Sequence, residues 1–183
     1  MSEEYFVRYG SPTLAGVKTG SLFLCPMESK SEVIEQMAGY NRTLISKGLC
    51  MIPVNFVRNN VLVYMFRPKR LKADLEDPAA RAILKKAGYK STSYTECLTE
   101  LAARIRTQHD FPHEIGLFLS YPPEDVKGFM ENSAANYKYI GSWKVYGDEE
   151  AAKKKFDIYN KCTETYCKML KSGKTIAELL VAV

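Results

Sequence analysis

The stretch FPHEIGLFLSYPPEDVKGF, residues 111–129, constrains the fold more than any other part of this chain. Ile115, Leu117, Phe118 and Leu119 occupy both alternating faces, which predicts a strand over Glu114–Tyr121 that is apolar on each side and covered on both. Pro122 and Pro123 stop it, because proline cannot donate to a ladder, and Pro123 suits the first turn of a following helix. Glu124 and Asp125 place negative charge at the positive end of that helix, and Val126, Phe129 and Met130 form its apolar stripe. Strand-to-helix turns often bind phosphate through free N–H groups. Here two carboxylates occupy the position, so the turn reads as self-satisfied.

With 183 residues, 46% of them hydrophobic, the chain is long enough for one well-buried domain and short for two. A charged fraction of 26% excludes a disordered chain. The net charge of +5 permits an acidic partner but lacks the clustering of a nucleic-acid footprint, which disfavours nucleic acid as a partner. No apolar run approaches the roughly 20 residues of a membrane span. The opening MSEEYFVRYG carries two glutamates and no signal-peptide core. The expectation is a cytoplasmic protein with no membrane partner. Cys25, Cys50, Cys97, Cys162 and Cys167 are odd in number and have no metal-site spacing, which fits free thiols in a reducing compartment. Cys162 and Cys167 lie five apart on an expected helix and point about 140° away from each other, a poor arrangement for sharing one metal.

Taken in order, residues 1–20 with their YGSPTLAGVKTGS run read as a loop entering a strand, SLFLC at Ser21–Cys25, which Pro26 ends. Ser29 and Glu32 make a capping box for a helix carrying Val33, Met37, Tyr40, Leu44 and Ile45, closed by Gly48. Leu49–Arg58 and Val61–Arg67 read as hairpin arms around Asn59-Asn60, with Pro53 marking an edge or a bulge. Asp77-Pro78 starts a helix whose apolar side is Ile83, Leu84 and Ala87 and which Gly88 closes. Ser93 and Glu96 box the next, with Cys97, Leu98, Leu101 and Ile105 as its stripe. Tyr139–Tyr146 reads as a further strand, Asp148 caps a long helix ended by Gly173, and Thr175 with Glu178 boxes a last short one. The expectation is a single α+β domain over residues 1–183. Its mixed sheet has about five strands, a ferredoxin-like βαββαβ portion with a doubled second helix, and a C-terminal αβα extension.

Three stretches carry a resemblance: SPTLAGVKTGSLF (11–23), FPHEIGLFLSYPPEDVKGF (111–129) and GSWKVYGDEEAAKKKF (141–156). With the cysteine- and lysine-bearing last long helix, they make the chain similar, nearly end to end, to an uncharacterised family of small bacterial proteins, domain of unknown function 3793. The resemblance implies no activity and assigns no catalytic residue. That family carries cysteines near the positions of Gly10 and Tyr137, and this chain has none there.

Several constellations can carry chemistry. Ser11, Thr13, Gly16, Lys18 and Thr19 can form a backbone nest with hydroxyls and one ammonium, suited to a phosphate or carboxylate, although the spacing matches neither GxxxxGK[ST] nor GxGxxG. His109 and His113 with Asp110 and Glu114 are the low-ranking metal candidates, since Pro112 breaks any helix that would bring the histidines to one face. Trp143 and Lys144 fall on opposite faces of the Tyr139–Tyr146 strand, where Lys144 and Tyr146 can stack a ring and Trp143 suits the core. Lys154, Lys161 and Lys168 repeat along the last long helix, interrupted by Asp157 and Glu164, as on a solvated face.

No GxSxG, HExxH or paired CxxC occurs, and no motif identifies a cofactor. The chain therefore reads as a module binding a small anionic ligand or a protein partner, with Lys18, Thr13 and Thr19 as polar contacts. The alternative is a thiol- or metal-dependent enzyme or redox accessory using Cys25, Cys50, His109 and His113. A further alternative is a structural subunit of an oligomer.

Overall fold

In the computed structural model, residues 2–182 are described. In order they form α1 (Glu3–Leu14), β1 (Gly20–Pro26), α2 (Lys30–Leu44), a 3₁₀ turn (Ile45–Lys47), β2 (Cys50–Val57), β3 (Asn60–Phe66), α3 (Pro68–Glu76), α4 (Pro78–Lys86), α5 (Tyr94–Thr107), α6 (Ile115–Phe118), α7 (Pro123–Glu131), β4 (Tyr139–Ile140), β5 (Lys144–Val145), α8 (Glu149–Lys171) and α9 (Ile176–Leu179). The class is α+β. The chain divides into two compact units, residues 1–69 with 159–183, and residues 70–158.

The first unit is built on an antiparallel sheet of order β1-β3-β2. β1 matches the expected apolar strand, and its register pairs Phe23 with Val63. Ser29 caps α2 by accepting from the Glu32 N–H at 3.2 Å. Pro53 sits on an edge strand, and the β2 register shifts between Pro53 and Asn55, as its missing N–H requires. The hairpin turn falls one residue earlier than expected. Val57 pairs with Asn60, so Arg58-Asn59 is the loop, and Arg58 itself takes φ 51.

Residues 3–14 are helical, which corrects the expected loop. Ser2 caps α1, Glu3 and Glu4 occupy its first turn, and Phe6, Val7, Gly10, Ser11 and Leu14 are buried at three- to four-residue spacing. Packing of that face overrides the poor helix propensity of Gly10, Ser11 and Pro12. The core of the unit gathers Phe6, Leu14, Phe23, Met37, Met51, Val63, Met65, Ile176 and Leu179.

Arg67, at the end of β3, is 1% exposed. Its Nε donates to Thr13 O at 2.7 Å, and Nη2 donates to Leu14 O at 2.7 Å and to Val181 O at 2.8 Å. The guanidinium thus closes the C-terminal turn of α1 and fastens residue 181 to it.

In the second unit the expected strand over Glu114–Tyr121 is instead the short helix α6, with Leu119 and Ser120 as its cap. Ile115, Gly116, Leu117 and Phe118 are all buried. A short run buried on every side satisfies helix and strand patterns equally, and packing decides between them. Gly116 is the deciding residue. A Cβ there would lie 2.6 Å from Val126 Cγ2 and 3.0 Å from Trp143 Cζ2, so only glycine lets these groups close on the helix. Ser120 takes φ 68, and Tyr121 N–H reaches Gly116 O at 3.0 Å, a Schellman-type closure.

The expected mixed sheet of about five strands is likewise corrected. Five strands are present among the described residues, but as separate antiparallel sheets of three and two. Of the βαββαβ plan, β1, α2, β2 and β3 are in place, and the fourth-strand position is α6. The expected Tyr139–Tyr146 strand folds back on itself as the β4–β5 hairpin. Asp125 is 3% exposed and accepts from Tyr146 N at 2.7 Å and Gly147 N at 2.8 Å, holding the chain that follows β5. Pro123 opens α7, as expected. α3 has no counterpart among the expected elements. α5 begins after Ser93, but Ser93 makes no side-chain cap there, and its Oγ lies 2.8 Å from Thr95 Oγ1 instead.

Candidate functional site

The segment from α4 to the start of α5 builds a cavity in the second unit. Asp77 caps α4 by accepting from Ala79 N at 2.8 Å and Ala80 N at 3.0 Å, and Pro78 occupies its first position. Ala80, Ile83 and Leu84 are its buried side, whereas Arg81 and Lys85, one turn apart, are exposed. Gly88 at φ 90 closes the helix, with Tyr89 N–H bonded to Leu84 O at 3.0 Å. This turn drives Tyr89 inward and sends Lys90, Ser91 and Thr92 along the way to α5.

The result is a cavity of about 430 Å³. Its floor is Leu75, Leu84, Tyr89 and Cys97, which are 2%, 4%, 6% and 1% exposed. Its rim is Arg81, Lys85, Lys90, Ser91 and Thr92. No carboxylate lines it. Among the described residues none of the three rim cations is in an ion pair, whereas nearby Lys86 pairs with Glu131 at 3.2 Å and Arg104 with Glu100 at 2.8 Å.

A buried polar cluster fixes the floor. Tyr89 donates its hydroxyl to Glu114 Oε1 at 3.1 Å. The Arg104 guanidinium lies 4.3 Å from the centre of the Tyr89 ring and donates to Ala87 O at 2.8 Å and to Glu114 Oε1 at 3.5 Å. Burial, then the adjacent Glu114 charge, pushes the Tyr89 hydroxyl far above the ordinary tyrosine range. Burial also pushes the Cys97 thiol up, helped by Glu100 and Glu96. The floor is therefore neutral at physiological pH, and the positive charge is concentrated at the rim.

The residues singled out from sequence fall in both units. Ser11 and Thr13 lie in α1, fully buried, and Thr19 is 2% exposed. The Ser11 hydroxyl donates to Val7 O, and Thr13 Oγ1 lies 2.9 Å from Ser21 Oγ, so both hydroxyls are used inside the fold. Gly16 takes φ 75 in the turn after α1, and the Lys18 ammonium lies 5.6 Å from the centre of the Tyr159 ring.

Trp143 and Lys144 belong to the second unit. Trp143 stacks on Tyr121 at 4.6 Å and tilts against Phe129 at 5.1 Å. Lys144 donates to Ala134 O at 2.6 Å and lies 4.7 Å from the centre of the Tyr137 ring. His109 and Asp110 are fully exposed, His113 contacts the Phe129 ring, and Glu114 is committed to Tyr89 and Arg104. Among the described residues no group of three or more His, Cys, Asp or Glu side chains is placed to hold a metal ion.

None of the cavity's cations was singled out from the sequence. The available signal was local: RAILKKAGYKSTS puts four cations and three serine or threonine hydroxyls within thirteen residues around a helix-ending glycine.

The chain belongs to the family described as protein of unknown function (DUF3793), whose family model matches residues 6–180. No curated protein and no solved structure matches it. Among the described residues no helix is long and apolar enough to cross a membrane.

Proposed function

We propose that this chain is a binding module for a small organic anion, held in the cavity between α4 and α5. The apolar body of the ligand rests on Leu75, Leu84, Tyr89 and Cys97, and its charged group meets Arg81, Lys85 and Lys90 at the rim. The supporting observation is the coincidence of three cations that, among the described residues, are outside any ion pair, with an apolar, neutral floor. A solvated helix face also carries unpaired lysines, but not around a cavity with an apolar lining. The volume lies within the roughly 300–1,000 Å³ of ordinary small-molecule sites. Arg104 is a positioning residue: it supports the Tyr89 ring and the Ala87 carbonyl that closes α4.

The thiol alternative draws no support from the cysteines. Burial is the leading influence raising Cys25, Cys50, Cys97 and Cys162, so these sites favour the thiol over the nucleophilic thiolate. The β1-α2-β2-β3 arrangement supports a partial relationship of the first unit to the ferredoxin-like plan.

A thermal-shift panel of organic carboxylates and phosphate esters tests the proposal. A ligand at about one hundred times its dissociation constant adds about 2.7 kcal/mol, or roughly 5–10 °C for a chain of this size. That shift should vanish in the Arg81→Gln, Lys85→Gln, Lys90→Gln triple variant. A panel in which no anion raises the melting temperature of the parent would sink the proposal.

A further inference from the structure

Resting on the cavity assignment above, we infer that the anionic group it takes is a phosphate monoester on an apolar body, bound through Arg81, Lys85, Lys90 and the hydroxyls of Ser91 and Thr92.

The rim supplies three positive charges and no negative one. A carboxylate brings one negative charge and two oxygens, leaving two rim cations uncompensated and more donors than it can accept from. A phosphate monoester brings about −1.5 to −2 and three strong acceptor oxygens, close to what three cations and two hydroxyls ask for. Arg81 offers a planar fork that engages two of those oxygens together, and the two lysines act as mobile point charges. Inorganic phosphate alone leaves the floor unused. Leu75, Leu84, Tyr89 and Cys97 are almost wholly covered by the fold, so a hydrocarbon or ring body meets their edges together with the aliphatic stems of Arg81, Lys85 and Lys90.

The charged and titratable groups around the site are Arg81 and Lys85 on α4, Tyr89 and Lys90 beyond it, and Cys97 on α5 with Glu96 beside it, with Arg104, Glu100 and Glu114 behind Tyr89. No histidine lines the cavity, and lysine and arginine side chains as a class titrate well above neutrality. A pH dependence of binding near pH 6 would therefore originate in the ligand.

Isothermal titration of the whole chain with phenyl phosphate, benzoate and inorganic phosphate tests the inference. Phenyl phosphate should bind at least about tenfold more tightly than either other probe. It should tighten about fourfold between roughly pH 5.5 and 7.5, as its second proton leaves near pH 6. Benzoate should stay level over that window. Arg81→Gln, Lys85→Gln and Lys90→Gln should each weaken phenyl phosphate about tenfold. Lys86→Gln, outside the cavity and paired with Glu131, should leave it unchanged. Benzoate binding as tightly as phenyl phosphate, with no pH dependence for either, overturns the phosphate assignment while the organic-anion cavity stands. Failure of all probes overturns both.

Sedimentation with phosphatidylcholine vesicles containing phosphatidic acid separates two sources of the same group. Co-sedimentation lost in Lys85→Gln places the ester on a lipid, and its absence places it on a soluble molecule. Phenyl phosphate must bind in either case.

Discussion

Replacing Glu114 probes the cluster beneath the cavity. The carboxylate is 4% exposed, accepts from the Tyr89 hydroxyl at 3.1 Å and lies 3.5 Å from Arg104 Nη1. Breaking a buried ion pair from one side commonly costs about 3–5 kcal/mol, because the other charge is stranded. Here Arg104 is not stranded: it keeps Glu100 at 2.8 Å and Ala87 O at 2.8 Å. The larger loss is the charge-assisted bond from Tyr89, worth about 1.5–3 kcal/mol, whose donor is left buried.

Glu114→Ala should therefore cost about 2–3 kcal/mol, seen as a fall of roughly 4–12 °C in melting temperature. Glu114→Gln, whose amide oxygen still accepts from Tyr89, should cost about 1 kcal/mol. Urea denaturation at neutral pH measures both, and the Tyr89→Phe/Glu114→Ala double-mutant cycle, in which each single change removes the bond, should show a coupling of about 1 kcal/mol. A loss below about 0.5 kcal/mol for Glu114→Ala, or additive cycle corners, would refute the cluster as a support of the floor.

Gly39 lies inside α2 with nothing within 4 Å of where a Cβ would sit, so Gly39→Ala should stabilise the chain by about 0.5–1 kcal/mol in the same urea assay. Gly116→Ala should do the reverse by about 1–3 kcal/mol, because the added methyl meets Val126 and Trp143. Burial pushes the Cys162 thiol up to about 11, so it should alkylate far more slowly at pH 8 in the folded chain than in urea, as mass spectrometry of iodoacetamide-treated protein would show. Because that group is raised in the folded state, its contribution to stability is intact below about pH 9 and is lost as pH climbs towards 11. A pH titration of stability should show a smaller alkaline loss in Cys162→Ala.

What the sequence discloses depends on how local the determining physics is. Ser29, Asp77, Pro123, Asp148, Gly173 and the Thr175/Glu178 box set helix ends through contacts within a few residues, and each acts where its chemistry says it should. Pro53 likewise betrays its edge strand and its bulge. The α1 and α6 segments depart from the expected loop and strand because their structure is decided at long range. α1 carries Gly10, Ser11 and Pro12 and is helical because one face is sealed in the core. α6 is apolar all round, and the glycine contact that settles it involves Val126 and Trp143, ten and twenty-seven residues away. The cavity was hidden for a related reason. Arg81, Lys85 and Lys90 look like any solvated cations until Leu75 and Cys97, from two other helices, supply the floor between them.

Arg67 links events far apart in time as well as in sequence. Its Nη2 joins Leu14 to Val181, and Ile176, Leu179 and Leu180 complete the same core as Phe6 and Phe23. During synthesis the ribosome must therefore deliver residue 181 before the guanidinium made more than a hundred codons earlier acquires that acceptor. Residues 70–158, by contrast, form one contiguous run of the chain.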